Sequence, residues 1–242
     1  MIPLPDQIAL ALFALAWIFY APALKLAAGG RGINADMVAI RTGWMRAMAG
    51  RENRFLDANL LGHLLNSASF FASTSMLMIA AVVGALFSGD AAWRSVSSLE
   101  LMPHSTRFLF DLKLALVTVA LTRGLLDFIW AIRQMNYCLA IVGAMPGPPA
   151  GAGPDAERAA AEADKYALAA SEVLGPALSN FNSGVRGYYF ALAAAAWLFG
   201  AWACMAATAG AVALLMVRQV MSPAAKGVRR IRDLVREQRP PA

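Results

Sequence analysis

The chain has 242 residues, 59% hydrophobic and 15% charged, with a formal net charge of +6. Soluble domains carry about 25% charged residues, so a water-soluble globular enzyme is excluded, and an integral membrane protein is the class that fits. Two cysteines, Cys138 and Cys204, are too few for a disulfide framework and match no metal spacing.

The first apolar run is "IALALFALAWIFYAPAL", Ile8–Leu24. Its first basic residue, Lys25, follows the run, whereas a cleavable signal carries its positive charge in front. A retained span over about residues 8–28 is therefore expected. Lys25 and five arginines from Arg31 to Arg54 come next, and the positive-inside rule puts that connection in the cytoplasm and the N-terminus outside. From Asn34 onward the sequence has no proline until the second span is passed, and Met37, Ile40, Trp44, Met48, Phe55, Leu56 and Leu60 recur at helical spacing. One or two amphipathic helices should lead into a second span, residues 66–87.

A third span, residues 108–132, carries Asp111, Lys113, Arg123 and Asp127. Asp111 and Lys113 lie near its outer end, where they can snorkel. "GAMPGPPAGAGP", Gly143–Pro154, is loop. Pro154 and Asp155 then open another amphipathic helix. Residues 188–217 carry no charge and read as a fourth span. Thirty residues reach about 45 Å against about 30 Å of hydrocarbon, so a bend near Gly200 or Gly210 is the alternative to a single rod. Seven basic residues from Arg218 to Arg239 mark the tail, and with four spans that tail falls outside, against the positive-inside rule. The expected fold is all-α: a polytopic membrane protein with four transmembrane helices and long amphipathic extensions on one side. Residues 1–222 form a single helical membrane domain, and residues 223–242 a basic C-terminal tail.

Four spans bring three polar helix ends to one membrane boundary. Asn59, His63 and Asn66 share a face of the second helix at three- to four-residue steps. Arg123 and Asp127 are four apart on the third helix, and should pair. The fourth enters through "NFNSGVRGYY", which holds Asn180, Asn182 and Arg186. One cluster of these eight residues is the candidate site, with Asn182 or Arg186 joining the Arg123–Asp127 pair. Cys204 reads as a small buried thiol, and no metal or other cofactor is expected.

The segments "RENRFLDANLLGHLLNSASFFASTSMLMIA", "FIWAIRQMNYCLAIVGAMP" and "FNSGVRGYYFALAAAAWL" resemble a bacterial and plant membrane family known as domain of unknown function 599, over roughly Arg31 to Ser222. The family more usually carries a basic residue where Ser183 stands here. The resemblance implies a multi-pass protein of a bacterial inner or plasma membrane, and no reaction.

No G-x-S-x-G, P-loop, H-E-x-x-H or dinucleotide fingerprint occurs, which leaves a membrane-embedded enzyme on Asp57, His63 and Arg186 as the least supported reading. A channel or transporter for a small ion or solute, working as a homo-oligomer, leads. A non-transporting scaffold or accessory subunit is the alternative. Small residues at steps of four, Gly200, Cys204 and Thr208, with Ala193–Ala196, help helices associate in lipid and serve either reading. Arg31–Arg54 and the basic tail suit anionic headgroups. Nucleic acid is not an expected partner, because the tail lacks interleaved aromatic residues.

Overall fold

The computed structural model of the chain describes residues 2–27, 33–88, 91, 93–94, 106–148, 151 and 153–237. Arg31 and Arg239, the outer members of the two basic clusters, lie outside the described residues, as do Gly29, Gly30 and Gly32. Every regular element described is helical: α1 (Leu4–Ala27), α2 (Ile33–Ala49), α3 (Phe55–Phe87), α4 (Arg107–Ala144), α5 (Pro154–Ala196), a 3₁₀ turn (Trp197–Phe199), α6 (Ala201–Val220) and α7 (Pro223–Glu237).

Helix length alone sets the architecture. At 38 and 43 residues, α4 and α5 run about 57 and 65 Å, roughly twice the hydrocarbon thickness. They pair along their length as an antiparallel hairpin, with α3 against α4. Their surplus therefore projects from one side of a membrane layer. There it forms a lobe with α2, which packs on the first half of α5, and α7, which packs on α2. The lobe core is Met45, Met48, Leu61, Cys138, Val142, Ala167, Ala170 and Leu174. Small residues at 163, 167 and 170 let α5 sit close against its neighbours.

Local chemistry places the helix ends. Thr106 caps α4 by accepting from the Leu109 backbone N–H at 3.3 Å. Pro154 opens α5 with Asp155 and Glu157 in its first turn, where fixed φ and negative charge both suit a helix start. Pro176 lies inside α5, where its ring removes one ladder bond, and Arg41 of α2 donates to the adjacent Gly175 carbonyl at 3.4 Å.

Among the described residues, four helices are long and apolar enough to cross a membrane: α1, α3, α4 and the run that begins with α6. The run expected as one span over residues 188–217 is two helices. It breaks at Gly200, whose φ of 118° belongs to the region that favours glycine. The second half of α5 rises in the same layer as the four helices. Trp197 at its end donates to Asp6 at the start of α1, at 2.7 Å. The chain then turns, and α6 runs back until Arg218 donates to the Tyr189 hydroxyl at 2.5 Å. The tail consequently returns to the lobe side, where Arg232 of α7 pairs with Asp36 of α2. The conflict between the basic tail and the first basic connection disappears, because both lie on one side. The surplus length of the uncharged run and the basic tail both point to such a bend, and the glycine at position 200 is where it falls.

Candidate functional site

Within the membrane layer, α4 and α5 approach until their backbones touch. A Cβ on Gly187 would lie 3.0 Å from Gly124 Cα, and one on Gly124 would lie 3.2 Å from the Gly184 carbonyl oxygen. Phe128 fills the space beside Gly184 and stacks on Phe71 of α3, with ring centroids 5.5 Å apart. Tyr188 ties the same three helices together. Its hydroxyl donates to the Phe71 carbonyl at 3.0 Å and lies 3.0 Å from Ser75 Oγ. On the other flank of α5, Phe190 packs among Phe13, Trp17 and Tyr20 of α1.

Between these two packed zones lies a cavity of about 200 Å³, lined from α1 by Trp17, Tyr20 and Ala21, from α4 by Arg123 and Asp127, and from α5 by Ser183, Arg186, Gly187 and Phe190. Arg123 and Asp127 are 16 and 20 residues past the start of α4 at Arg107, about 24–30 Å along it. The cavity therefore lies at the lobe-side boundary of the hydrocarbon. Arg123 Nη1 donates to Asp127 Oδ1 as expected from their spacing. The carboxylate side chain is 10% exposed, and the guanidinium, 56% exposed, reaches the rim.

The donors exceed the acceptors. Arg186 lies within electrostatic reach of Asp127, Arg123 and Tyr20, yet no hydrogen bond or ion pair joins it to another described residue. The Tyr20 hydroxyl is buried and, among the described residues, has no hydrogen-bond partner. Two guanidinium groups face one carboxylate, leaving a net charge of +1. The Tyr20 hydroxyl is buried and the Arg186 guanidinium half-buried, so both can donate to an acceptor placed in the cavity.

The family model described as "Protein of unknown function, DUF599" matches residues 8–224. The chain belongs to that family. No curated protein and no solved structure gives a significant match. Membership agrees with the expected resemblance and assigns no chemistry to the cavity; the four candidate spans suggest a membrane protein.

Of the eight expected cluster residues, the structure brings Arg123, Asp127 and Arg186 together and leaves five elsewhere. Asn59, His63 and Asn66 are exposed on α3, with Asn59 donating to its own helix at the Phe55 carbonyl, 3.1 Å. Their shared face turns away from α4 and α5. Asn180 donates to Gln134 Oε1 at 2.7 Å, and Asn182 to Asn34 Oδ1 of α2 at 2.9 Å. Asn182 thus joins α5 to α2 of the lobe, and Asn180 joins α5 to α4; neither lines the cavity. Tyr20, Trp17 and Phe190 were missed because an apolar run gives no hint of which of its faces looks inward.

A second set of polar residues organises the lobe. Asp57 is fully buried and accepts from Trp44 Nε1 at 2.7 Å and Arg51 Nη1 at 2.6 Å. Arg54 donates to the Met48 and Ala49 carbonyls at the end of α2 and to the Met145 and Pro146 carbonyls after α4. One cation thus satisfies the negative ends of two helices. Arg41 is buried, its Nε lacks a partner among the described residues, and burial lowers its pKa from the ordinary arginine value. At the opposite end of the bundle Lys113 does not snorkel. It is buried 5.8 Å from the centroid of the Trp197 ring, while Asp111 pairs with Arg107 at 3.3 Å.

Proposed function

We propose that this chain is a transporter or channel for an anionic solute, with the cavity between α1, α4 and α5 as its binding site. The observation that carries this reading is the surplus of donors and positive charge there, Arg186 and the Tyr20 hydroxyl above all, at membrane depth. Ionisable groups inside a membrane are expensive and by default mark a pathway or a partner. Asp127 is already paired with Arg123, so the open positions belong to an incoming anion.

The lobe faces the cytoplasm in this proposal. Arg41, Arg46, Arg51, Arg54, Lys226, Arg229 and Arg230 all belong to it, as the positive-inside rule requires. Exposed Lys226 and Arg230 on α7 are its contacts to anionic headgroups. Self-association through the exposed small face of α6, Ala206, Ala209, Gly210 and Ala213, is part of the same proposal, although the cavity itself is built by one chain. A non-transporting scaffold is the second reading, favoured by the clasp of α7 on α2 through Arg232 and Asp36.

The test is anion flux. Liposomes carrying the protein and loaded with labelled chloride, phosphate or octanoate should release at least one of them faster than protein-free liposomes. Arg186→Gln should abolish that release while inserting normally. Protein-bearing liposomes as tight as empty ones toward all three would leave the scaffold reading in place.

A further inference from the structure

We infer that the anion bound in this cavity is the headgroup of an amphiphile, a carboxylate or phosphate on an alkyl chain, admitted sideways from the bilayer. This rests on the anion-site reading above and names its ligand class.

Three observations lead there. The first is the rim. Arg123 stands on α4 in line with Val119, Leu126 and Trp130, all exposed on the outer face of the membrane layer. Across the cavity, Ala21 lines it and is exposed, beside exposed Leu15, Ile18 and Phe19 of α1. Both lips of the opening are thus apolar surfaces that face lipid, and the depth is that of the headgroups.

The second is the wall. Trp17 and Phe190 stand nearly parallel at 6.3 Å and 26° and both line the cavity, offering apolar surface right beside the guanidinium groups. An inorganic anion would have no use for such a surface, whereas the first methylenes of a chain would cover it. The third is size. About 200 Å³ equals roughly six or seven water volumes at about 30 Å³ each, and is below the roughly 300–1,000 Å³ of pockets that enclose a whole ligand. A headgroup and a few carbons fit, and the rest of a chain would stay in the bilayer between the two lips. In the bound state the head would accept from Arg186 and from the otherwise orphaned Tyr20 hydroxyl, with Arg123 at the rim still held by Asp127.

The experiment separates head from chain. Thermal unfolding of the purified protein in one detergent is followed with acetate and glycerol phosphate (head alone), dodecanol (chain alone), and dodecanoate and dodecyl phosphate (both). Only the last pair should raise the unfolding midpoint, and Arg186→Gln should erase the rise. Tyr20→Phe, which removes one hydroxyl and almost no volume, should weaken the response several-fold, and it serves as the readout if Arg186→Gln does not fold. An equal rise with acetate or glycerol phosphate would identify a water-borne anion; it would overturn this inference and leave the anion site intact. No rise with any charged compound would overturn both. A rise with dodecanol, or one that persists unchanged in both variants, would show a detergent-like effect and likewise overturn the amphiphile assignment.

Discussion

Gly187 of α5 lies against Gly124 of α4 with no room for a side chain between them. A Cβ at Gly187 would be 3.0 Å from the Gly124 Cα and 3.7 Å from the Ala120 carbonyl oxygen. Those are backbone atoms, which do not swing aside. Gly187→Ala should therefore force the two helices apart at cavity level and cost about 1–3 kcal/mol, the range for overpacking. Gly187→Leu should fail to give a monodisperse protein. Gly84, with nothing within 4 Å of an added Cβ, is the control: Gly84→Ala should leave the unfolding midpoint unchanged or raise it. Thermal unfolding of the three variants in one detergent decides.

Among the described residues, Asp127 is the only carboxylate lining the cavity with Arg123 and Arg186, which makes the two ends of the ion pair unequal. Asp127→Ala leaves two guanidinium groups facing each other. Arg123→Ala leaves Asp127 still opposite Arg186. The carboxylate change should be the worse one, by about 1–3 kcal/mol, less than a fully buried pair would lose because Arg123 is 56% exposed. Arg123→Ala combined with Asp127→Ala should recover part of the loss. A double variant as poor as Asp127→Ala alone would show that the pair is not coupled.

Arg54 reaches four carbonyls with the fork of one guanidinium. Arg54→Lys keeps the charge and loses that geometry, since an ammonium is a compact charge with three donors. The expected cost is about 1.5–3 kcal/mol, the worth of a hydrogen bond to a charged group. A lysine variant as stable as the parent would mean that charge at the helix ends suffices without the fork. Asp57→Ala should cost a similar amount, because it strands the Trp44 indole N–H in the lobe.

Topology is testable without any ligand. With Cys138 and Cys204 replaced, single cysteines at Ser222 and at Gly147 should react with an impermeant maleimide from the same side of the membrane. A cysteine at Leu4 should react from the other side. A label at Ser222 that follows Leu4 instead would restore the single fourth span and remove the hairpin at Gly200.

The sequence was most legible where one physical rule acted alone. Apolar length located α1, α3 and α4, and the four-residue step from Arg123 to Asp127 located a real pair. It was least legible where the answer depended on which face meets which neighbour. Asn59, His63 and Asn66 do share a helical face, but α4 packs against the opposite one, through Leu61, Ala68 and Ala72. Spacing along one helix carries no information about that choice. Asn182 and Asn34 are 148 positions apart, and no local pattern links them. The charge-rich "RENRFLD" did signal something. Its density of ions at the start of an apolar helix is explained by two jobs, a buried carboxylate at Asp57 and a double helix cap at Arg54.

The bond from Trp197 to Asp6 spans 191 positions, and this separation bears on how the protein is made. Ribosomes add about 5–20 residues per second, so 191 residues take on the order of 10–40 s. During that interval α1 is already synthesised, while α6, the helix it packs on most closely, does not yet exist. Of the described helices α1 is thus made early and placed late, with the Asp6 carboxylate waiting for an indole N–H. Chains interrupted anywhere before Trp197 leave the Asp6 carboxylate without its indole partner, and those interrupted before Phe190 also leave the aromatic face of α1 uncovered.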